Sequence, residues 1–240
     1  GYQAGGSVTT GTLNTLIGGL AGDALTVGER NSILGYGALS SDTKGGQSVA
    51  IGYNSLNAQN FTTATDAHNV AVGYSAGLSV TTGIQNVFMG GLAGDALTDA
   101  DANVALGYAA LSSDTLGSKS VAIGTGALFT QNFTTATNAY NVAVGDSAGN
   151  AVTTGTTNTL VGGLTGDAIT TGGNNVAMGY AALSGDTLGS RNVAIGVAAL
   201  QVQNFTTATD AYNTAVGTLA GASVTTGTIN TYIGGKAGST

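Results

Sequence analysis

Hydrophobic residues along the chain recur in a short pentapeptide of Asn or Ser, two variable residues, a large aliphatic residue and Gly. In the copy "NVAVG", Val70 and Val72 alternate with Asn69, Ala71 and Gly73. Such alternation predicts a β-strand with one apolar face and one face of small or polar residues. A helix is disfavoured because each interior Gly costs about 1 kcal/mol relative to Ala. We therefore predict an all-β chain of short strands.

Position within the pentapeptide predicts which residues face the interior. The fourth residue is always Ile, Val, Leu or Met, whereas the third is usually Ala, so we expect the fourth residues to form the apolar interior column. Small residues three positions after each Gly, such as Ala21 and Ala38, predict a second short strand packed closely on the first. The first six members of the expected interior column are Ile17, Leu34, Ile51, Val72, Met89 and Leu106.

The pentapeptides return with a fixed spacing. From Gly18 to Gly90 their Gly residues follow one another in three 17-residue steps and one 21-residue step, which together make a 72-residue module. One short strand per repeat is typical of a β-solenoid, in which each repeat forms one coil. We interpret residues 1–240 as a single repeat array and a fragment of a longer fibre. Its modules span approximately 1–72, 73–144, 145–216 and 217–240.

The predicted fold is a parallel β-roll or β-solenoid. With coils stacked at the usual strand spacing of about 4.8 Å, the array would form a rod roughly 65 Å long. A 17-residue coil cannot by itself cover an apolar interior and offset the entropy of the chain. We therefore expect lateral association of the chain with two further copies of itself, as a homotrimer.

One coil in each module is longer than the others and contains the segment "NFTTAT". Insertions are tolerated in exposed loops, so we expect these segments to protrude and to be candidate surface contacts. Their Phe residues are flanked by Thr and Asn, and we expect each ring to lie under its own loop. The candidate contact residues are Phe61, Thr62, Thr63, Phe133, Thr134, Thr135, Phe205, Thr206 and Thr207.

Composition narrows the classes of partner. Of 240 residues, 41 are Gly and none is Pro, Cys or Trp, while 5 Lys and Arg stand against 12 Asp and Glu. The net charge of −7 argues against a nucleic-acid partner, because phosphate binding requires clustered Lys and Arg. No run of 18 apolar residues occurs, so we expect no membrane insertion.

The sequence offers little catalytic chemistry. His68 is the single His, and Tyr140 and Tyr212 stand at its position in the next modules, so we expect an exposed loop residue there. The segment "GGLAGDAL" is rich in Gly but opens no predicted helix, which makes phosphate binding a poor interpretation. We expect no catalytic residue, no cofactor and no enzymatic activity.

Asp residues stand at equivalent positions of the modules. They either bind Ca²⁺ between adjacent coils or form turns by bonding to their own backbone. We favour turns, because Ca²⁺ requires six or more oxygen ligands and each turn supplies one carboxylate. The weak Ca²⁺ candidates are Asp23, Asp42, Asp95, Asp114, Asp167 and Asp186.

The Asn and Tyr residues that recur at equivalent positions of the coils have structural interpretations. The Asn that begins most pentapeptides predicts a hydrogen-bonded ladder between coils. Tyr residues directly after the Gly either cover small residues of neighbouring coils, which we favour, or act as platforms for sugar stacking. These residues are Tyr36, Tyr53, Tyr74, Tyr108 and Tyr180.

The pentapeptides "SVAIG", "NVAVG" and "NTLIG" resemble the head repeats of trimeric autotransporter adhesins. The 17-residue form in "NVAMGYAALSGDTLGSRNVAIG", which starts at Asn175, is more similar to arrays in bacteriophage tail-fibre proteins. The resemblance implies a left-handed parallel β-roll that forms trimers in the shaft or head of an adhesive fibre. The 72-residue module with its 21-residue coil departs from most adhesin heads.

Three classes of function come into question. An ice-binding solenoid would need flat rows of Thr on every coil, and a depolymerising enzyme would need paired carboxylates in a groove. A fibre segment accounts for the repeats and for the low charge. We expect a segment of a trimeric phage tail fibre on the virion, which supports host attachment through a cell-surface glycan or receptor. The alternative is the head or stalk of a bacterial surface adhesin.

Overall fold

The computed structural model describes residues 1–239. These residues form short β-strands joined by turns, with no helix among them. They divide into two compact units, one of Gly1–Lys119 with Thr134–Thr137 and one of Ser120–Phe133 with the chain from Asn138 onwards. In chain order the strands are β1 (Thr15–Ile17), β2 (Ser32–Leu34), β3 (Gly45–Gly46), β4 (Val49–Ile51), β5 (Thr65–Asp66), β6 (Val70–Val72), β7 (Val87–Met89), β8 (Val104–Leu106), β9 (Gly117–Ser118), β10 (Val121–Ile123), β11 (Thr137–Asn138), β12 (Val142–Val144), β13 (Thr159–Val161), β14 (Val176–Met178), β15 (Gly189–Ser190), β16 (Val193–Ile195), β17 (Thr209–Asp210), β18 (Thr214–Val216) and β19 (Thr231–Ile233).

In the first unit, the three-residue strands pair in parallel in the order β1-β2-β4-β6-β7-β8. Equivalent residues face each other, as in the pairs Ile51↔Val72 and Val72↔Met89. The two-residue strands β3 and β5 form a second parallel pair. Because each strand pairs with its counterpart one repeat away, the unit is a parallel β-solenoid with about 17 residues per coil, as predicted.

The second unit has the same architecture. Its three-residue strands pair in parallel in the order β10-β12-β13-β14-β16-β18-β19, again with equivalent residues opposite each other. Strands β15 and β17 repeat the short second pair, with Gly189 opposite Thr209. The all-β solenoid is therefore common to both units.

The residues of each strand that point inward are not those that the sequence predicted. The middle residue of each strand is inside: Ala71 and Ala105 are fully buried. The residues that flank it lie outside, with Leu106 37% exposed. The prediction of an interior aliphatic column is therefore wrong. Its members Ile17, Leu34, Ile51, Val72, Met89 and Leu106 lie on the outer face.

Side chains from the turns explain this orientation, because they fill the narrow interior and leave room only for Ala on many strands. Leu39 and Leu56, each four residues after a pentapeptide Gly, are fully buried. The larger Phe88 lies between two successive turns that both carry Gly at this position. A Cβ added to Gly94 would clash with the ring of Phe88, and one added to Gly77 would lie 2.8 Å from Cδ2 of the same ring. Turn and strand thus share a fixed volume, as close packing requires.

The segment after each Gly is a turn and not the second strand that was expected. Ala21 and Ala38 are fully buried there, in line with their small size. The adjacent Leu20 and Gly22 have φ of 56° and 54°, which strand geometry excludes. The turns nevertheless stack, since the N–H of Gly22 donates to the carbonyl of Ala38 at 3.0 Å.

The Asn residues form the predicted ladder. Oδ1 of Asn14 accepts a hydrogen bond from the backbone N–H of Asn31 at 2.9 Å, and its Nδ2 donates to the carbonyl of Gly28 at 2.8 Å. Asn31 bonds in the same way to the N–H of Ser48 and the carbonyl of Gly45. Each Asn therefore satisfies two backbone groups of the next coil, which fixes how the coils stack.

Candidate functional site

An apolar stripe covers the outer face of the strand ladder in each unit. It consists of the two residues that flank the buried middle residue of each three-residue strand, and none of them is charged. Leu34 is 47% exposed and Met89 44%. We call this surface the outer stripe. Its aliphatic members in the first unit are Ile17, Leu34, Val49, Ile51, Val70, Val72, Val87, Met89, Val104 and Leu106. Those in the second unit are Val121, Ile123, Val142, Val144, Val161, Val176, Met178, Val193, Ile195, Val216 and Ile233.

Tyr residues that follow the strands stack on one another. The ring centroids of Tyr36 and Tyr53 are 5.8 Å apart, and those of Tyr53 and Tyr74 are 5.5 Å apart, with nearly parallel planes. A Cβ added to Gly19 would lie 3.2 Å from Cδ2 of Tyr36, so this ring covers a Gly of the preceding coil, as favoured. Because Tyr53 has a ring on each side, its faces are closed to a stacking sugar. These Tyr residues are about half exposed.

A buried polar network holds the base of the first insertion loop. Oδ1 of Asp42 accepts hydrogen bonds from the backbone N–H of Gly45 at 2.9 Å and of Phe61 at 3.2 Å. Its Oδ2 accepts one from Nε2 of Gln59 at 2.7 Å. Oε1 of Gln59 in turn accepts one from Nδ2 of Asn69 at 2.8 Å. Because these buried groups satisfy one another, the loop is fixed in place.

The third insertion loop repeats this network. Oδ2 of Asp186 accepts a hydrogen bond from Nε2 of Gln203 at 2.6 Å, and Nδ2 of Asn213 donates to Oε1 of Gln203 at 2.7 Å. Oδ1 of Asp186 accepts from the N–H of Gly189 at 3.0 Å. These Gln residues were not predicted as part of a site, although an Asp followed by a Gln one coil later returns in each of the three complete modules.

The candidate contact loops divide into buried rings and exposed Thr residues. Phe61, Phe133 and Phe205 are at most 6% exposed, so these residues are buried and do not belong to the exposed surface of the loops. Any contact made by these loops would therefore come from the residues after the Phe. These exposed residues are Thr62, Thr63, Thr134, Thr135, Thr206 and Thr207.

The Asp candidates for Ca²⁺ fall into two groups. Asp42 and its counterparts Asp114 and Asp186 are buried acceptors for the turn that follows them. The others have a buried Oδ1 for which the structure shows no hydrogen-bond partner. Within residues 1–239, no three His, Asp or Glu side chains are grouped so as to hold a metal ion. The second group comprises Asp23, Asp95 and Asp167.

Burial also changes the acidity of two of these residues. Desolvation raises the pKa of Asp95 above its ordinary value, and a hydrogen bond with Ser112 opposes that effect. Desolvation likewise raises the pKa of Asp167.

A column of Thr residues runs along the coils and was not singled out from the sequence. The hydroxyl of Thr26 donates to the carbonyl of Thr43 at 2.9 Å, and that of Thr81 donates to the carbonyl of Thr98 at 3.2 Å. Both donors are half-buried. Because these hydroxyl groups bond to the backbone of the next coil, they do not form a free flat row of the kind an ice-binding face requires.

A groove of about 310 Å³ opens beside the first insertion loop. The sequence did not predict it, and its one trace there is Gly46, since Ser118 and Ser190 stand at the equivalent position of the other modules. The residues that define the groove are Val27, Glu29, Lys44, Gly46, Ala64 and Asp66.

The loop position of His68 is exposed, as expected. In the third module, Tyr212 at this position lies 5.6 Å from the guanidinium carbon of Arg191, measured to the ring centroid. Nε of Arg191 is 3.0 Å from Oδ1 of Asp210. The position therefore carries surface interactions that differ between modules.

Comparisons with known proteins found no match among family models, curated proteins or solved structures. In the part of the chain that the structure describes, no helix is long and apolar enough to span a membrane. The fold itself defines the class: the chain is a parallel β-solenoid repeat protein.

Proposed function

We propose that the chain is a structural segment of a homotrimeric fibre, with a phage tail-fibre shaft as the first candidate. The observation that carries the proposal is the outer stripe. Its aliphatic side chains recur on every three-residue strand from β4 to β8 of the first unit without a charged residue on the stripe. Contiguous apolar surface of this kind marks an interface with another molecule.

The repetition of the stripe favours copies of the same chain as its partner. Each chain would contribute an equivalent apolar face, and sheets pack face to face at about 10 Å with apolar side chains between them. Two sheets alone could also cover each other. Association of three chains is supported by the resemblance of the pentapeptides to trimeric fibre proteins.

The module supports a role in setting length. Equivalent residues pair in register from coil to coil, so further modules would extend the ladder without new kinds of contact. In a tail fibre on the virion, such a segment would hold the receptor-binding part away from the particle. The head or stalk of a bacterial trimeric surface adhesin would use the same geometry at the cell surface and is the alternative.

Sedimentation equilibrium of the 240-residue chain tests the assembly. The native chain should have the mass of a trimer, and Met89→Asp should lower that mass by placing charges in the packed stripe. Thr62→Asp adds the same charge to an exposed loop and should leave the trimer intact. A native chain that sediments as a monomer or dimer, or equal losses of mass in both variants, contradicts the proposal.

Deletion of residues 69–140 from a complete fibre tests the role in setting length. This segment is one module in register. The shortened fibre should still attach to its host, while its length by electron microscopy falls by about 19 Å, which is four strand spacings. Loss of attachment by a trimer that still assembles contradicts this role.

A further inference from the structure

We propose that the groove beside the first insertion loop binds a neutral, hydroxyl-rich ligand, specifically one saccharide unit. This inference goes beyond the fibre role and does not depend on it. It rests on the position of Gly46, where the second and third modules have Ser.

That position is occupied by Ser in the second and third modules. Oγ of Ser118 accepts a hydrogen bond from the backbone N–H of Asp101 at 2.9 Å, and Oγ of Ser190 accepts one from the N–H of Gly173 at 3.0 Å. The first module has Gly46 there. The Ser hydroxyls of the other modules thus identify the backbone N–H, that of Glu29 in the first module, to which we propose that a ligand oxygen bonds.

A donor and an acceptor border the open position. A Cβ added to Gly46 would lie 3.6 Å from the backbone N of Glu29 and 3.5 Å from Oδ1 of Asp66. No residue in the described range 1–239 accepts a hydrogen bond from the N–H of Glu29. A ligand hydroxyl placed further out, between these two groups and at van der Waals distance from Gly46, would accept from the N–H of Glu29 and donate to Oδ1 of Asp66.

The first module also leaves the Asp carboxylate free. In the third module Asp210 is paired with Arg191 at 3.0 Å. In the first module, Gln47 stands at the position of Arg191, and no group within residues 1–239 forms an ion pair or a hydrogen bond with the carboxylate of Asp66. The carboxylate that pairs with Arg191 in the third module is therefore open to a ligand in the first.

The charges around the groove select the class of ligand. The ammonium group of Lys44, which donates to the carbonyl of Thr62 at 3.0 Å, opposes a cation, and the carboxylate of Asp66 opposes an anion. The carboxylate of Glu29 is paired with Arg30 and adds little net charge. A hydroxyl group both donates and accepts, so it suits both kinds of partner. Val27 and Ala64 add apolar surface for the C–H groups of a sugar ring.

The size of the groove sets the extent of the ligand. About 310 Å³ is at the lower end of the range for small-molecule sites, which fits one sugar residue better than an oligosaccharide. With few polar contacts we expect a dissociation constant on the order of 1 mM.

Saturation-transfer difference NMR on the 240-residue chain tests the site with D-glucose, D-galactose, N-acetyl-D-glucosamine and L-rhamnose. At least one sugar should receive saturation from the native chain. Gly46→Ser should weaken its binding at least about tenfold, because the Ser hydroxyl would accept the hydrogen bond from the N–H of Glu29 and narrow the groove. The added Cβ would start 2.9 Å from the carbonyl O of Glu29, and Ser118 and Ser190 occupy the same position on equivalent strands.

Two further variants keep the test decisive if Gly46→Ser folds poorly. Asp66→Asn copies the residue of the second module, Asn138, and should also weaken binding. Ser190→Gly combined with Arg191→Gln copies Gly46 and Gln47 into the third module, which frees the N–H of Gly173 and the carboxylate of Asp210, and should raise the stoichiometry in isothermal titration calorimetry from one site to two.

Three outcomes would overturn the proposal: no saturation of any of the four sugars, unchanged binding in a folded Gly46→Ser chain, or unchanged binding in Asp66→Asn. Sugar binding by a monomeric chain would refute the fibre proposal and leave this one standing. A trimer that binds none of the sugars would do the reverse.

Discussion

The two faces of the strand ladder differ in the size of their side chains and in how deeply these side chains are buried. The inner face is mostly Ala, fully buried against Leu residues of the turns, with Phe88 or Leu160 where the turns carry Gly. The outer face carries larger aliphatic residues that remain partly exposed, such as Met89 and Leu106. In so narrow a coil, the small residues serve the chain's own packing. The large ones are available for contact with another molecule.

The largest effect should come from a charge on the inner face. Ala105→Asp places a carboxylate in a fully buried site without a designed partner, which costs several kcal/mol. We expect loss of the cooperative thermal transition when the variant is followed by circular dichroism. A variant that melts like the native chain would show that the middle residue is not inside.

Removal of the largest inner side chain should come next. Phe88→Ala leaves a cavity between Gly77 and Gly94 and should lower the free energy of unfolding by about 3–5 kcal/mol in urea titrations. Adding Gly94→Leu should recover part of the loss, because it copies the combination of Ala105 on the strand and Leu111 in the turn. Absence of any recovery would contradict the exchange of volume between turn and strand.

A charge on the outer face should change the unfolding free energy less. Leu106 is next to Ala105 in the sequence, but its side chain is partly exposed. We therefore expect Leu106→Asp to lower the free energy of unfolding of the unassembled chain by about 1 kcal/mol or less. Its main effect should be on assembly, measured as a lower sedimenting mass. Equal losses of stability in the two variants would remove the distinction between the faces.

The smallest effect on stability concerns carboxylates of the turns, which are half-buried and so lie between the buried inner face and the partly exposed outer face. Burial raises the pKa of Asp95 and Asp167 in the folded chain above the ordinary value of 3.8. Folding therefore favours their neutral form. Their contribution to stability is fully present below pH 3.8 and is lost as the pH rises through the raised values.

The Asn variants of both residues isolate this contribution. Asp95→Asn with Asp167→Asn should melt at a slightly higher temperature than the native chain at neutral pH, and the difference should shrink under acidic conditions. Melting curves across the pH range check the sign. A variant that loses stability at neutral pH would show that the ionised carboxylates are favoured in the folded chain.

Periodicity alone could predict most of the fold. The spacing of Gly52, Gly73 and Gly90 gives the length of the coils, and the recurrent Asn gives the ladder that Asn14 and Asn31 form. Alternation in a strand separates two faces but does not say which is inside. That depends on the volume supplied by turn residues such as Leu56, which is known only once the coils are stacked.

The groove could not be predicted for a related reason. Gly46 is one Gly among many in the sequence, and its difference from Ser190 has meaning only when the backbone of Glu29 is placed beside it. The loop beside the groove was recognised as an insertion, and the burial of Phe61 followed from its polar neighbours. What was missing was the contact between coils distant in sequence.

The exchange of volume between turns and strands has a genetic consequence. Phe88 requires Gly in its own coil and in the preceding one, whereas Ala105 sits with Leu111, so neighbouring coils are not interchangeable. Duplication of a single 17-residue coil would bring unmatched volumes together. When two gene copies recombine while misaligned by one 72-residue module, each coil still lies next to a coil of the same kind as before. Such a gene is free to lengthen or shorten by whole modules, and the unit of its evolution is the module.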